Sequence, residues 1–172
     1  MRQDELHAEL ERHHADGFGW ALSCCGWDRT EAEDVLQTSY LKVLEGKARF
    51  GGRSSFRTWL FAVIHRTALE HARRTRMQRT GLLRGIAKRA LEPPAAMNPE
   101  VFITQTDANE RLLEALAALA RRQREVLHLV FYQGQTIAQA AAVLEISLGT
   151  ARTHYERGKA RLREALAGAL QR

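Results

Sequence analysis

Five side chains between Thr150 and Arg157 carry the chemistry of a surface that could read nucleic acid. They are the hydroxyls of Thr150 and Thr153, the carboxylate of Glu156 and the guanidinium groups of Arg152 and Arg157. Arginine matches guanine O6 and N7 with two parallel hydrogen bonds. Glutamate accepts from the cytosine amine, and threonine reaches a phosphate or the thymine methyl group. All five fall within Ile146 to Arg163, ISLGTARTHYERGKARLR, whose later cations Lys159, Arg161 and Arg163 suit phosphates or solvent. Taken alone, such a stretch is more often a solvated basic helix than a reader of DNA. The elements around it decide.

At 100° per residue, Leu148, Ala151, Tyr155, Gly158, Leu162 and Ala165 or Leu166 form one inward stripe. Thr150, Thr153, Glu156 and Arg157 lie opposite, with Arg152 and His154 on the flanks. Ser147 is placed to cap this helix and leave free N–H groups at its start. A short helix from Thr136 to Leu144 precedes it, with Ile137, Ala140, Ala141 and Leu144 inward and the turn EIS between the two. Short helix, tight turn and longer helix make a helix-turn-helix. Small residues at the start of the second helix let its backbone approach a major groove. Upstream, a helix over about 121–132 stops at Gly134, and another begins near Asp107 with Leu112, Leu113, Leu116 and Leu119.

The N-terminal half is helical too. Leu6, Leu10, His13, Gly17, Trp20 and Cys24 share one face of a helix over 3–23, which Gly26 breaks. Thr30 with Glu33 reads as a capping box for the next helix. That helix runs to about Glu45 and turns Val35, Leu36, Tyr40, Val43 and Leu44 inward. The glycine-rich basic loop GKARFGGRSS ends in serines that cap SFRTWLFAVIHRTALEHARRTR. The latter is apolar around most of its circumference at first, as expected of a helix buried on several sides, with Trp59, Phe61, Val63 and Ile64 as core. It then turns cationic at Arg73, Arg74 and Arg76. Periodicity fades over 78–106, where a short basic helix in GLLRGIAKRALE and then EPPAAMNPE read as a flexible linker. The expected fold is all-α: an N-terminal helical bundle, 1–77, and a C-terminal four-helix domain with the helix-turn-helix, 107–172.

The whole chain, 172 residues with net charge +6, fits this organisation. Residues 57–89 carry nine Arg and Lys against one Glu, the clustering expected of a surface facing a polyanion. No run approaches the roughly 18 apolar residues of a membrane span. The charged N-terminus lacks an apolar signal core, so no membrane insertion and a cytoplasmic location are expected. Cys24 and Cys25 are adjacent, a poor geometry for a structural disulfide. With His13 and His14 they lack the separated ligand pairs of a zinc site, and GGRSS lacks the GK[ST] ending of a phosphate loop. His65 and His71 have no nucleophile partner in sequence, and no acidic cluster is present. No metal, cofactor or catalysis is expected.

Two blocks of residues resemble a known family. REVLHLVFYQGQTIAQAAAVLEISLGTARTHYERGKARLR is similar to the C-terminal domain of the extracytoplasmic-function group of bacterial sigma factors. Arg124-Glu125-Val126, Gly134, Ile146-Ser147, Gly149-Thr150 and Arg161-Leu162-Arg163 stand in that family's order. AEDVLQTSYLKV resembles its polymerase-binding helix, and FRTWLFAVIHRTALEHARR its promoter-melting helix. The chain departs from the family pattern at Arg66, Leu44 and Ala120, where Asn, Trp and Pro are usual, and in its basic linker.

The resemblance implies a subunit that directs core RNA polymerase to promoter DNA, commonly held in check by an anti-sigma factor. Asp34, Gln37, Tyr40 and Leu41 would bind the polymerase. Phe50, Arg53, Ser55 and Phe56 would capture a flipped base of the minus-ten element, with Arg57, Arg66 and Arg73 along the opened strand. Thr136, Thr150, Arg152, Thr153, Glu156 and Arg157 would contact the minus-thirty-five element. A stand-alone regulator could use the same helix-turn-helix. A DNA-processing enzyme would need a nucleophile or metal-binding acids that the sequence does not offer.

Overall fold

The structure, a computed structural model, describes residues 2–83, 115–116 and 118–170. The chain divides into two compact units, Met1–Ala95 and Ala96–Arg172. The described residues are all-α, with no strand among them. Three sequence expectations lie outside the described residues: the linker beyond residue 83, the rest of the short basic helix, and the start of the helix near Asp107.

The N-terminal unit contains α1 (Gln3–Arg12), α2 (His14–Cys24), α3 (Arg29–Leu44) and α4 (Phe56–Leu83). Helices α2, α3 and α4 pack pairwise around Trp20, Val35, Leu60, Phe61 and Ile64, all of them fully buried. Polar groups inside this core are satisfied locally. Ser39 donates to the Val35 carbonyl at 2.7 Å and Thr67 to the Val63 carbonyl at 2.9 Å. The first four turns of α4 bury Leu60, Phe61, Val63, Ile64, His65, Thr67 and Ala68, matching the nearly all-round apolar pattern. Past Ala68 no described α4 residue is buried, and the helix continues to Leu83.

Two local readings need correction here. The expected 3–23 helix is interrupted at His13 (φ −102°, ψ 12°), whose ring stacks on Phe56 at 6.2 Å. Apolar spacing is preserved across the break, so periodicity could not show it. The cap of α3 is Asp28, whose carboxylate accepts from the Glu31 N–H at 3.0 Å, and not Thr30. Gly26 and Trp27 both adopt left-handed backbone, which brings the chain into α3 two residues early. Glu33 pairs instead with Arg29 at 2.9 Å.

The C-terminal unit contains α5 (Arg121–Leu127), running on as a π-helical turn His128–Tyr132, then α6 (Ile137–Leu144) and α7 (Leu148–Leu170). Gly134 takes φ +60° just past the turn, where a side chain would be strained. Thr136 and Gln139 form a reciprocal capping box at the start of α6. Val126, Leu129, Ala140, Val143 and Ala151 are fully buried between the three helices. Glu125, with its side chain only 3% exposed, is held by Arg121 at 2.8 Å and Arg122 at 2.9 Å. Burial lowers the His128 pKa to about 4, so a neutral ring stacks on Tyr132 at 5.2 Å.

At Gly158, α7 approaches α5 closely. A Cβ there would lie 2.9 Å from Leu127 Cδ1 and 3.2 Å from Gln123 Cβ. Gly158→Val is therefore expected to destabilise this unit by about 1–3 kcal/mol through overpacking. Gly158→Ala should cost less, because the Leu127 methyl can swing away. Amide exchange in α6 and α7 measures this; unchanged protection in the valine variant would refute it.

Candidate nucleic-acid interface

The upstream candidates begin with the start of α7. Ser147 accepts from the Thr150 N–H at 3.0 Å, so the helix is capped by a small side chain and its first turn is left open to approach. The Thr153 hydroxyl donates to the Gly149 carbonyl at 3.0 Å, turning its lone pairs outward. Ala151 and Gly158 are buried against α5 and α6, while Thr150, Arg152, Thr153, Glu156 and Arg157 are all exposed. The helix-turn-helix thus brings five of the six upstream candidates onto one outer surface. Thr136 is also exposed, with its hydroxyl accepting from the Gln139 N–H at 3.1 Å as the cap of α6.

The inward stripe holds only in its middle. Leu148 is 40% exposed, and Ala165 is exposed as well. Both lie toward the ends of α7, where the shorter partner helices no longer cover the stripe. Tyr155 is half-buried and stacks on Phe131 of the π turn, ring centroids 5.7 Å apart.

In the N-terminal unit, Asp34, Gln37 and Leu41 are exposed at helical spacing along α3. Tyr40 stands beside them, half-buried, with its hydroxyl 3.3 Å from His14 Nδ1. Burial pushes its pKa up to about 12, so it stays a neutral phenol. Leu44, expected inward, is instead 40% exposed and extends the row begun by Leu41, itself 51% exposed. Val43 on the same turn is 3% exposed, so the turn is covered and Leu44 points away from the buried stripe of Ala32, Val35, Leu36, Ser39 and Val43. Leu44 is a surface residue that spacing missed. The signal was its alignment with an aromatic residue in the resembling family.

The loop between α3 and α4 is pinned by aromatic contacts. The rings of Phe50, Phe56 and Trp59 lie 5.2–5.5 Å apart. Phe56 is only 8% exposed, so it supports the loop while Phe50 and Trp59 remain partly accessible. Ser55 caps α4 by accepting from the Thr58 N–H at 3.1 Å, as its position predicted. Arg53 is exposed on the loop. Arg57 pairs with Asp16 at 2.9 Å and lies 5.1 Å over the Phe61 ring. It ties α2 to α4. Arg66 and Arg73 are exposed along α4.

A cleft of about 430 Å³ opens between the end of α3, the loop and α4. Lys42, Lys47, Arg49 and Arg66 line it beside Trp59, against a single carboxylate, Glu70. Lys42 donates to Glu70 at 2.7 Å and to Thr67 at 3.2 Å. Cations beside an accessible aromatic ring suit a single strand, by charge compensation and base stacking. Lys42, Lys47, Arg49 and Trp59 were not among the sequence-derived site residues. They converge only when α3 and α4 pack.

Comparison with known proteins finds relatives along most of the chain. Residues 10–78 match the family model for sigma-70 region 2, and residues 109–162 that for sigma-70 region 4. The chain is 30% identical over 134 residues to the RNA polymerase sigma factor YlaC of Bacillus subtilis, covering 77% of this chain and 76% of that one. It is also 30% identical over 155 residues to the ECF RNA polymerase sigma factor SigL of Mycobacterium tuberculosis, covering 87% and 83%. Its fold is similar to that of the sigma factor RpoE of Bartonella quintana, solved with the anti-sigma factor NepR. The TM-score is 0.69 at 23% identity, over 95% of this chain and 97% of that one. Two regional matches in order, with relatives alike over most of their length, are sufficient: the chain belongs to the sigma-70 family of RNA polymerase sigma factors, in its extracytoplasmic-function group.

Proposed function

We propose that this sigma factor divides promoter recognition between its two units. The helix-turn-helix of residues 107–172 reads the upstream element, and residues 1–77 bind core polymerase and hold the opened downstream element, with 78–106 as the link. The observation that carries this reading is the capped face of α7, where Thr150, Arg152, Thr153, Glu156 and Arg157 are exposed together. In the N-terminal unit, Asp34, Gln37, Leu41 and Leu44 form the polymerase-facing row, with Tyr40 packed behind it. Phe50, Arg53 and the cationic cleft receive unstacked bases, and Arg66 and Arg73 follow the strand. Ser55, Phe56 and Arg57 hold that surface in shape. The protein acts by binding and performs no catalysis of its own. It works in the cytoplasm with the polymerase, and an anti-sigma factor is its expected negative regulator.

Transcription in vitro with core RNA polymerase tests the reading. Adding the chain should produce promoter-dependent initiation from genomic templates. A protein that binds core and yet initiates nowhere would overturn it. Tight duplex binding without polymerase, and no core binding, would favour the stand-alone regulator. Asp34→Ala with Gln37→Ala should weaken core binding several-fold, as expected for exposed polar contacts at an interface, and leave upstream DNA recognition intact. Unchanged core affinity would move the polymerase interface elsewhere.

A further inference from the structure

Glu156 poses an electrostatic problem on a face that approaches DNA. The duplex carries one negative charge per about 1.7 Å of axis, so a carboxylate carried into the groove is repelled from every side. It is tolerated where it accepts from a base amine, or where a cation stays with it. Lys159 lies one turn further along α7, its Nζ 3.4 Å from Glu156 Oε1 and 3.3 Å from Oε2.

An ordinary exposed ion pair of this kind is loosely held. This lysine is not ordinarily exposed. Its side chain is 27% exposed against 65% for Glu156, and its ammonium sits 4.8 Å over the Tyr155 ring. Tyr155 is in turn stacked on Phe131, the rings 20° from parallel. A contact from a different helix therefore sets the ring, the ring holds the ammonium, and the ammonium faces the carboxylate. Of the cations later in α7, Arg161 and Arg163 are exposed, and neither has an aromatic partner among the described contacts.

We propose that Lys159 is the positioning residue for Glu156. Held over Tyr155, it neutralises and orients the carboxylate, which then accepts from the exocyclic amine of a cytosine in the upstream element. Lys159 is thereby a specificity determinant acting through Glu156 and not a phosphate contact. The proposal rests on the reading that α7 enters the major groove. It goes beyond that reading by assigning a role to a residue behind the reading face.

The experiment uses holoenzyme reconstituted from core polymerase and the full chain, with promoter fragments randomised across the upstream element. Wild type should prefer cytosine at one position. Glu156→Gln should erase that preference. Lys159→Met, which keeps an unbranched stem against Tyr155 and removes the charge, should reduce the same preference about fivefold, within the range of direct side-chain coupling. It should leave preferences at other positions unchanged, and Lys159→Arg should restore it.

In the Glu156→Gln background, Lys159→Met should have no further effect on that position. Additive losses in the double variant would overturn the proposal. So would a uniform loss for all sequences with a salt slope shallower by about one, the mark of a phosphate contact. Wild-type holoenzyme that initiates without any upstream sequence preference would instead refute the reading of α7 itself, and the proposal with it.

Discussion

Trp20→Ala is expected to remove a large share of the stability of the N-terminal unit and to shift its unfolding midpoint far down. Trp20 is completely buried, and its indole N–H donates to the Phe61 carbonyl at 3.0 Å. Its ring lies 6.2 Å from those of Phe61 and His65, so one side chain joins α2 to two successive turns of α4. Truncation leaves a large cavity where three helices meet, and substitutions of this kind cost about 3–5 kcal/mol. Whole domains are stable by only about 5–15 kcal/mol.

Trp20→Phe keeps most of the volume and loses the hydrogen bond, so it should cost about 1–2 kcal/mol, and the gap between the two variants isolates packing. All three tryptophans, Trp20, Trp27 and Trp59, lie in this unit, so indole fluorescence during urea unfolding reports on it selectively. An alanine variant with a midpoint close to that of wild type would contradict the assignment of Trp20 as the centre of the core. Loss of core-polymerase binding should accompany unfolding, since α3 packs on the same residues.

The second large effect is expected at Arg152 and Arg157. Both are exposed on α7, flanking the outer face away from the buried Ala151 and Gly158, Arg152 in the second turn and Arg157 near the middle of the helix. A bidentate arginine–guanine contact discriminates by about 1–3 kcal/mol. Each alanine variant should therefore lose roughly 5- to 150-fold in affinity for the preferred upstream element. Each should also become indifferent to base identity at one position. Five residues separate the two, about one and a half helical turns or roughly 7–8 Å of rise. The positions affected should therefore be distinct, and the losses close to additive.

Holoenzyme binding to promoter variants, one base pair changed at a time, measures this. The decisive signature is relaxed preference at one position in each variant. A loss equal for every sequence, with a shallower dependence on salt, would reassign the side chain to a phosphate.

What the sequence could determine was whatever depends on neighbours within a turn or two. Ser147 and the serines ending GGRSS read correctly as caps, because a cap is a hydrogen bond to a residue three positions on. Gly134 read correctly as a stop, because its left-handed backbone is a local demand. Spacing at 100° per residue put Thr150, Thr153, Glu156 and Arg157 on one side of α7, and that geometry is intrinsic to a helix. These local features, with the order of the two motif blocks, were enough to point to the family.

Only the tertiary structure could decide which faces are covered, because coverage depends on where a distant helix begins and ends. Leu44 and Leu148 follow an inward spacing and are nevertheless exposed, Leu44 because the covered face of α3 runs through Val43 instead, Leu148 because it opens its helix. Phe56 and Arg57 look like ligands for a strand. The one is buried under His13 and Trp59, and the other is tied to Asp16 across 41 positions. The cationic cleft draws Lys42, Lys47, Arg49 and Arg66 from two helices and a loop, and no single period connects them. The placement of Lys159 beside Glu156 likewise depends on Phe131, a residue of another helix that no reading of α7 alone could supply.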